Sequence, residues 1–537
     1  MAIARPAKAS DWGPTDVTTD TIVKSNAGFR KPRRIIDVSG EVVLVLDSSS
    51  ELESNLHGLK LAKDGHTVLV PQPSDNEEDP MNWKSFKKHA ILLCLAFAGF
   101  ATDFSLDAGI PTVAPQAIEW QKKPQVMNYP NNIALVSIGI SSIIWVPLMS
   151  SWGRAPVLFW STLLGLLFTL GTALVQDYNT YYVMRVLQNV TQGTGATLGV
   201  AFIQDMFFLH ERARKLGLWY CVFLSSPFVT PLFGYFMVAR LGEWRPVYWL
   251  VFALTALLVA NILIHVDESY WNRSINDEKQ PRRFSGQAAR LSRLVGVWQI
   301  RNHVDYFHPI IPSYVRLFRV ASKPIILITV LTYSVIFMWG IGINATSCIL
   351  LETPEDEGGY GLSAMSLGYM YFTPIVAVCL GEAVGHYLND FMVLVYTRSH
   401  DGRFVPEARL WSSYVGGLLM IPGLVLVGQT LKHHLHWSGI VFGWGMYQMG
   451  VMLVSVAIVA YLLDCYPSAS PEISAWVNIG RTMTGFAVGY FQQPWGLKQG
   501  YDVSFGLQVV IVAVAFLVLA TVQGFGARIR KWSGPLP

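Results

Sequence analysis

Charged side chains are scarce in this sequence of 537 residues. Asp, Glu, Lys and Arg make up 14% of it, against about 25% in soluble domains, whereas 52% of the residues are hydrophobic. The mean hydropathy is +0.36. This composition excludes an ordinary soluble domain and indicates a chain that resides in a lipid bilayer. The net charge of +4 is small, and we expect no nucleic-acid partner.

Motifs for catalysis, metal binding and disulfide bonding are also missing. The five cysteines are scattered, odd in number, and show neither metal-ligand spacing nor a disulfide framework. No Gly-x4-Gly-Lys-Ser/Thr phosphate loop occurs, which argues against an ATP-driven pump. Neither a Gly-x-Ser-x-Gly elbow nor a His-Glu-x-x-His pair is present. We therefore expect no enzyme activity, no cofactor and no metal.

Long apolar stretches dominate what is there. About a dozen occur, each near the ~20 residues that a helix needs to cross the hydrocarbon core of a bilayer. They lie near residues 90–110, 131–150, 155–176, 180–207, 215–238 and 246–266, then 324–347, 362–388, 410–430, 437–464, 473–491 and 505–526. The sequence thus predicts an all-α integral membrane protein of about 12 transmembrane helices in two six-helix halves.

The polar segments divide the chain further. The predicted parts are a largely disordered tail (1–88), a first half (89–268), a central linker (269–322), a second half (323–527) and a short tail (528–537). An alternating patch at 41–46 is the one candidate strand in the first tail. Within the linker, residues 288–297 are amphipathic, so this segment either lies along the membrane surface or is a solvated connection.

Basic residues concentrate in alternate loops, and this asymmetry predicts the orientation. One set of loops, with the tails and the linker, holds Lys84, Lys87, Lys88, Arg154, Arg212, Arg214, Lys215, Arg282, Arg283, Arg290, Arg293, Arg398, Arg403, Arg409, Arg528, Arg530 and Lys531. The other set holds Lys122, Lys123, Arg240, Arg245, Lys432 and Lys498. We therefore expect a multi-pass protein of the plasma membrane with both termini in the cytoplasm. The oligomeric state stays open, with a monomer as the working expectation.

Four ionisable residues inside the apolar stretches are the candidate site, because charge there is costly. Asp103 is a candidate for binding a proton or a cationic substrate, whereas Asp107, one turn further on, is expected at the solvated outer surface. For Arg185 a functional role and extension toward the headgroups remain open. Glu382 is either a proton-coupling acid or a structural hydrogen-bonding group. Arg481 is expected to pair with an acid that the sequence does not identify.

Several short motifs resemble those of the major facilitator superfamily, in particular a fungal branch, over about residues 66–530. They are Asp-Pro-Met-Asn-Trp-Lys at 79–84, Trp-Gly-Arg-Ala-Pro-Val at 152–157, Arg185 with Gln188 and Gly193, Trp-Arg-Pro-Val-Tyr-Trp at 244–249, and Gly-His-Tyr-Leu-Asn-Asp at 385–390. The branch is similar to drug:proton antiporters and to polyamine or general organic-cation transporters. The resemblance implies two halves that rock around a site near the midplane.

The resemblance also implies roles for two groups of residues. Gly153 and Arg154 match the later part of the family's gating motif, which lacks its usual acid here, and Gly385 and Asp390 match its copy in the second half. Of the family's antiporter motif in the fifth stretch, only Pro227, Pro231 and Gly234 correspond. These prolines are expected to bend the helix and free backbone carbonyls.

The combined prediction is a secondary transporter of small organic molecules, with protons as coupling ion. Asp103 and Glu382 are its coupling acids, and Arg185 and Arg481 are their charge partners. Efflux of a xenobiotic or secondary metabolite is the leading hypothesis, and import of polyamines or other organic cations is the alternative. A sensor without transport and a membrane enzyme are further alternatives that the sequence supports less.

Overall fold

The structure is a computed structural model that describes residues 33–36, 42–45, 60, 69, 71–273, 275, 277–354, 359–400 and 405–534. Two short antiparallel strands, Arg33–Ile36 and Val42–Val45, pair with each other near the N-terminus. The second strand matches the candidate at 41–46. Most of the tail predicted to be disordered lies outside the described residues. The remaining described chain is overwhelmingly helical, which confirms the all-α prediction.

Long helices cross the bundle in alternating directions. In the first half they are α1 (Ser85–Asp107), α4 (Tyr129–Trp152), α5 (Arg154–Leu174), α6 (Tyr178–Gln192) with α7 (Gly195–Met206), α8 (Leu209–Leu241) and α9 (Arg245–His265). In the second half they are α13 (Pro324–Glu352), α14 (Ala364–Met370) with α15 (Phe372–Ser399), α16 (Trp411–His433), α17 (Ser438–Cys465), α18 (Ser470–Gln499) and α19 (Tyr501–Ser533). Short helices α2 (Val113–Glu119) and α3 (Pro124–Met127) follow α1. About twelve crossings result, as predicted.

Ten stretches of the described residues are long and apolar enough to span a membrane. The two crossings outside this set carry polar residues or a break. The fourth crossing is divided between α6 and α7 at Gly193 and Thr194, and the buried polar side chains of α6 lower its hydropathy. The eleventh, α18, carries Glu472, Arg481 and Lys498. Polar residues within a crossing are tolerated where they face the protein interior.

We call the end of the bundle that holds the start of α1 and the end of α19 the termini side, and the opposite end the far side. The two halves pack most closely where α4 meets α18. Gly489 lets Asn132 approach so closely that an added Cβ would lie 2.3 Å from its side-chain oxygen. Gly139 likewise faces Thr482, and Asn478 donates a 2.9 Å hydrogen bond to Ser142. Small residues at these positions allow the backbones of the two halves to approach each other.

The linker between the halves contains helices α10 (Gln287–Val295), α11 (Val297–Tyr306) and α12 (Ile310–Ala321). Helix α10 matches the amphipathic segment predicted at 288–297 and packs against α5, with Leu294 fully buried. Arg293 binds the Asp267 carboxylate at 2.8 Å, just beyond the end of α9. Arg290 donates to the last carbonyls of α9, which have no partner within the helix. The linker is thus bonded to the first half by charged groups.

The segment before α1 is fastened to the same region. Asp79 is fully buried and forms a two-pronged ion pair with Arg273, at 3.0 and 3.1 Å. Burial alone would raise the pKa of Asp79, but Arg273 and the amides of Met81 and Ser74 stabilise the carboxylate and lower it overall. The Asp-Pro-Met-Asn-Trp motif at 79–83 therefore joins the N-terminal segment to the linker.

Candidate functional site

Two neighbouring cavities lie between the halves. The larger, about 1230 Å³ including its part open to solvent, reaches the termini side, where Arg409 and Asp464 line it. The smaller, about 460 Å³, lies toward the middle of the bundle. Helices of both halves line each cavity, so a molecule bound in either one would contact both halves. Leu224 and Arg481 line both cavities and so separate one from the other.

Arg481 pairs with Asp103 across this boundary. Its Nη2 lies 3.2 Å from the Asp103 Oδ2, and its Nε donates to Asn478 at 2.9 Å. Asp103 is fully buried, Arg481 is 6% exposed, and the guanidinium also lies 4.9 Å from the ring centre of Phe223. The acid stands on α1 and the arginine on α18, so the ion pair joins the two halves. The acid that the sequence left unidentified is therefore Asp103.

Asp107 also belongs to the interior. It is half-buried and lines the smaller cavity with Asp103, instead of lying in solvent at the outer surface as expected. The reason is the loop after α1, which covers this end of the helix: Ala108 and Ile110 are buried. Trp120 completes this cover through a contact with Tyr181. The smaller cavity therefore holds two carboxylates, one helical turn apart.

Arg185 lies outside both cavities and braces α1. It is fully buried and donates to the carbonyls of Ser105 at 2.8 Å and Leu106 at 2.6 Å, rather than extending toward the headgroups. Both carbonyls are in the last turn of α1, where helix carbonyls lack internal partners and favour a cation. Gln188 accepts a further bond at 3.2 Å. Arg185 thus positions the turn that bears both aspartates.

Glu382 faces the larger cavity together with His386, four residues on. Their side chains are 3.1 Å apart, and the other carboxylate oxygen of Glu382 has no hydrogen-bond partner in the described chain. The side chain of Glu382 is 6% exposed and that of His386 is 42% exposed. Gly217 of α8 lies against the imidazole, where an added Cβ would be 2.5 Å from Nε2. This acid therefore bonds along its own helix, and its histidine contacts the other half.

The motif around Gly153 and Arg154, for which the sequence predicts a gating role, is tied to carboxylates of the first half. Gly153 has φ +90°, and an added Cβ would lie 2.3 Å from a Glu268 oxygen. Glu268 accepts from the backbone amides of Arg154 and Ala155, at 3.0 and 3.2 Å. The Arg154 side chain pairs with Asp205 at 3.1 Å. The motif lacks its usual acid on its own loop, and carboxylates from α7 and from the segment after α9 face its arginine.

The second-half copy of the motif lies beside the larger cavity. Gly385 packs against Val456 of α17, and Asp390 lines the cavity. Arg409, which lines it too, binds Asp464 and donates to Asn389 at 2.9 Å.

The two prolines of the fifth crossing lie inside one continuous helix, α8. Pro231 removes the partner of the Pro227 carbonyl. This carbonyl lies 3.5 Å from the Asn344 amide nitrogen of the second half, and Pro227 lines the smaller cavity. Gly234 allows close contact with Pro111, where an added Cβ would be 2.4 Å away.

Sequence reasoning missed several residues that line the cavities. His386 follows Glu382 by one turn, and Asn478 precedes Arg481 by one turn, so helical spacing from the selected charges could have found both. Tyr220, Tyr333 and Gln448 carry no such signal.

Comparison with known proteins agrees with this architecture. The Major Facilitator Superfamily family model matches residues 92–490. The chain belongs to the major facilitator superfamily. Members of this family carry small molecules across membranes, so the chain is a multi-pass membrane transporter.

Relatives and solved structures point to the same family. The chain is 24% identical to the MFS antiporter QDR3 of Candida albicans, over 86% of this chain and 81% of the relative. It is 25% identical to the efflux pump FUB11 of Gibberella moniliformis, over 88% of this chain and 77% of the relative. In fold it is similar to the proton:xylose symporter XylE, with TM-score 0.57 and 13% identity over 82% of this chain and 96% of that one. These similarities confirm the resemblance to fungal members of the family.

Proposed function

We propose that this transporter couples the downhill movement of protons to the export of a small organic molecule, a xenobiotic or secondary metabolite, across the plasma membrane. In this proposal both termini are cytoplasmic, so the larger cavity opens to the cytoplasm. Relatives named as an antiporter and as efflux pumps support the direction. The concentration of basic residues on the termini side supports the orientation.

The observation that carries the proposal is the buried ion pair between Asp103 and Arg481. It joins the halves, and its arginine stands between the two cavities. A proton that binds Asp103 neutralises the carboxylate, and Arg481 then loses its ionic partner across the interface. Because Arg481 cannot release its own proton, its charge must find another partner or the solvent of the larger cavity. Protonation of one acid thus favours a different arrangement of the two halves.

Glu382 and His386 are the second proton-binding group of the proposal. They line the cavity that reaches the termini side, and the buried carboxylate oxygen of Glu382 that has no hydrogen-bond partner in the described chain can take up a proton. Arg185 holds the end of α1 and therefore keeps Asp103 in place. Its role is positioning, without contact to the substrate.

The test is transport by Asp103→Asn in vesicles with an imposed pH gradient. Asparagine is close in size but takes up no proton, so the variant is expected to fold with lower stability, reach the membrane and lose the pH dependence of transport. Asp75→Asn, which removes an exposed carboxylate outside the bundle, is the control and should transport as wild type does. The assignment is refuted if Asp103→Asn transports at the wild-type rate and keeps the wild-type pH dependence.

Import of polyamines or other organic cations is the second candidate, because two carboxylates line the smaller cavity. Uptake of radiolabelled spermidine by cells with and without the gene separates the two. Faster uptake in cells that carry the gene supports import, whereas lower accumulation supports export.

A further inference from the structure

Helix α12 of the linker presents a largely exposed apolar stripe, in which only Phe318 has a ring contact among the described residues, with Trp476 of α18. Ile311 is 74% exposed, Phe318 is 51% exposed, and Val315 stands between them at helical spacing. The opposite side of the helix is packed, with Leu317 and Val320 fully buried. One side of α12 is thus packed against the bundle, and the other is largely exposed.

The packed side of α12 touches both halves. The Tyr314 hydroxyl donates to the carbonyl of Ile144 on α4 at 3.1 Å. On α18, the Trp476 indole donates to the carbonyl of Leu317 at 2.9 Å. Arg316 also pairs with Glu472 of α18 at 3.0 Å. Helix α12 therefore connects the two helices at which the halves meet.

These contacts also give the depth of α12. Ile144 is eight residues from the termini-side end of α4, and Trp476 is six residues from that of α18. At 1.5 Å per residue, the contacts lie about 9–12 Å inside the helix ends. An amphipathic helix at the boundary between headgroups and acyl chains buries its apolar face by about 5–10 Å. The stripe of α12, level with the outer turns of the crossings, is therefore placed for contact with acyl chains.

Cations border the stripe. Residues 310–323 contain Arg316, Arg319 and Lys323 and no acid, and Arg319 is exposed beside the stripe. Lys323 donates to the Ser533 carbonyl, which brings the end of α19 to the same corner. That end adds exposed Arg528, Lys531 and Trp532. Tryptophan is enriched where proteins meet the membrane surface, and arginine and lysine attract anionic headgroups.

We propose that α12 and the end of α19 form a binding surface for anionic phospholipid of the leaflet at the termini side. The acyl chains lie on the stripe of Ile311, Val315 and Phe318, and Arg319 and Lys531 bind the phosphate and its negative charge. Because α12 is bonded to α4 and α18, bound lipid stabilises the present packing of the two halves. This inference does not rest on the proposed substrate or coupling ion.

The test is thermal unfolding of the full-length protein in detergent during titration with phosphatidylserine or phosphatidylcholine. Phosphatidylserine should raise the Tm of wild type at lower lipid concentration than phosphatidylcholine does. In Arg319→Gln the concentration of phosphatidylserine for the half-maximal shift should rise about fivefold, since one cation near the surface is lost. Arg319→Lys keeps the charge and should respond as wild type. Arg240→Gln removes an exposed arginine on the far side and should also respond as wild type.

Equal Tm shifts with both lipids, or a wild-type response in Arg319→Gln, would overturn the proposal. If Arg319→Gln is already unfolded without lipid, Lys531→Gln carries the same expectation, and a wild-type response of that variant has the same meaning.

Discussion

The ion pair between Asp103 and Arg481 allows a sharp test of how the halves are held together. Both side chains are buried, at 1% and 7% exposure, and their charged atoms are 3.2 Å apart. Removal of one partner from such a pair leaves an uncompensated buried charge, which costs about 3–5 kcal/mol. We therefore expect Asp103→Asn and Arg481→Gln each to lower the free energy of unfolding by roughly 3 kcal/mol or more.

The double variant is the informative member of the cycle. It removes both charges and leaves two amides. Its loss of unfolding free energy should therefore be smaller than the sum of the two single losses, by about 2 kcal/mol or more. The free energies are measured by denaturant unfolding in detergent. Lys432 and Asp502 on the far side provide the matched control, because their 3.6 Å pair is 45% and 33% exposed. The coupling energy of this pair, which is the difference between the double-variant effect and the sum of the two single effects, should stay below about 1 kcal/mol. If the two couplings are equal, the buried pair does not hold the halves together.

Three further predictions concern positions outside the site. Burial alone would raise the pKa of Asp267, but its arginine and lysine partners lower this pKa to about 2. The carboxylate therefore stabilises the fold fully above pH ~4, and this stabilisation is lost as the pH falls toward 2. Unfolding curves of Asp267→Asn, measured over the same pH range, should lack this pH dependence. Gly489→Leu should loosen the far-side contact of α4 with α18, seen as faster hydrogen exchange at both helix ends, whereas Gly506→Leu, with open space around it, should not. Asp79→Asn should expose residues 71–84 to proteolysis, because the buried pair with the linker is lost; the exposed Asp75→Asn should leave cleavage unchanged.

Prediction from sequence was most successful where one helix determines the answer by itself. Apolar length alone identified about twelve crossings and their grouping, since a span must cover the hydrocarbon core without help from its neighbours. Local turn chemistry was less visible. The sequence predicts one continuous crossing at 180–207, whereas the helix breaks between α6 and α7 at Gly193, and α8 stays a single helix despite Pro227 and Pro231.

The fate of single charges depended on neighbours from distant parts of the chain. Asp107 was expected in solvent because its position along α1 is near the helix end, but the loop that follows folds over it. The position of Arg185 along its helix is the same whether it binds inside the protein or extends to the headgroups, and it is the approach of the last turn of α1 that gives it two carbonyl partners. A charge pattern along one helix contains neither fact.

The sequence by itself determined that this chain crosses a membrane about twelve times, in two halves. It also showed that charged residues lie inside the crossings, where charge is unfavourable and therefore indicates function. Only the tertiary structure decided which of those charges meet. Asp103 and Arg481 are 378 residues apart, and their pairing arises because α1 and α18 of opposite halves come together between two cavities. Hydrophobicity is a property of each segment, whereas an ion pair requires the packing of all the helices around it.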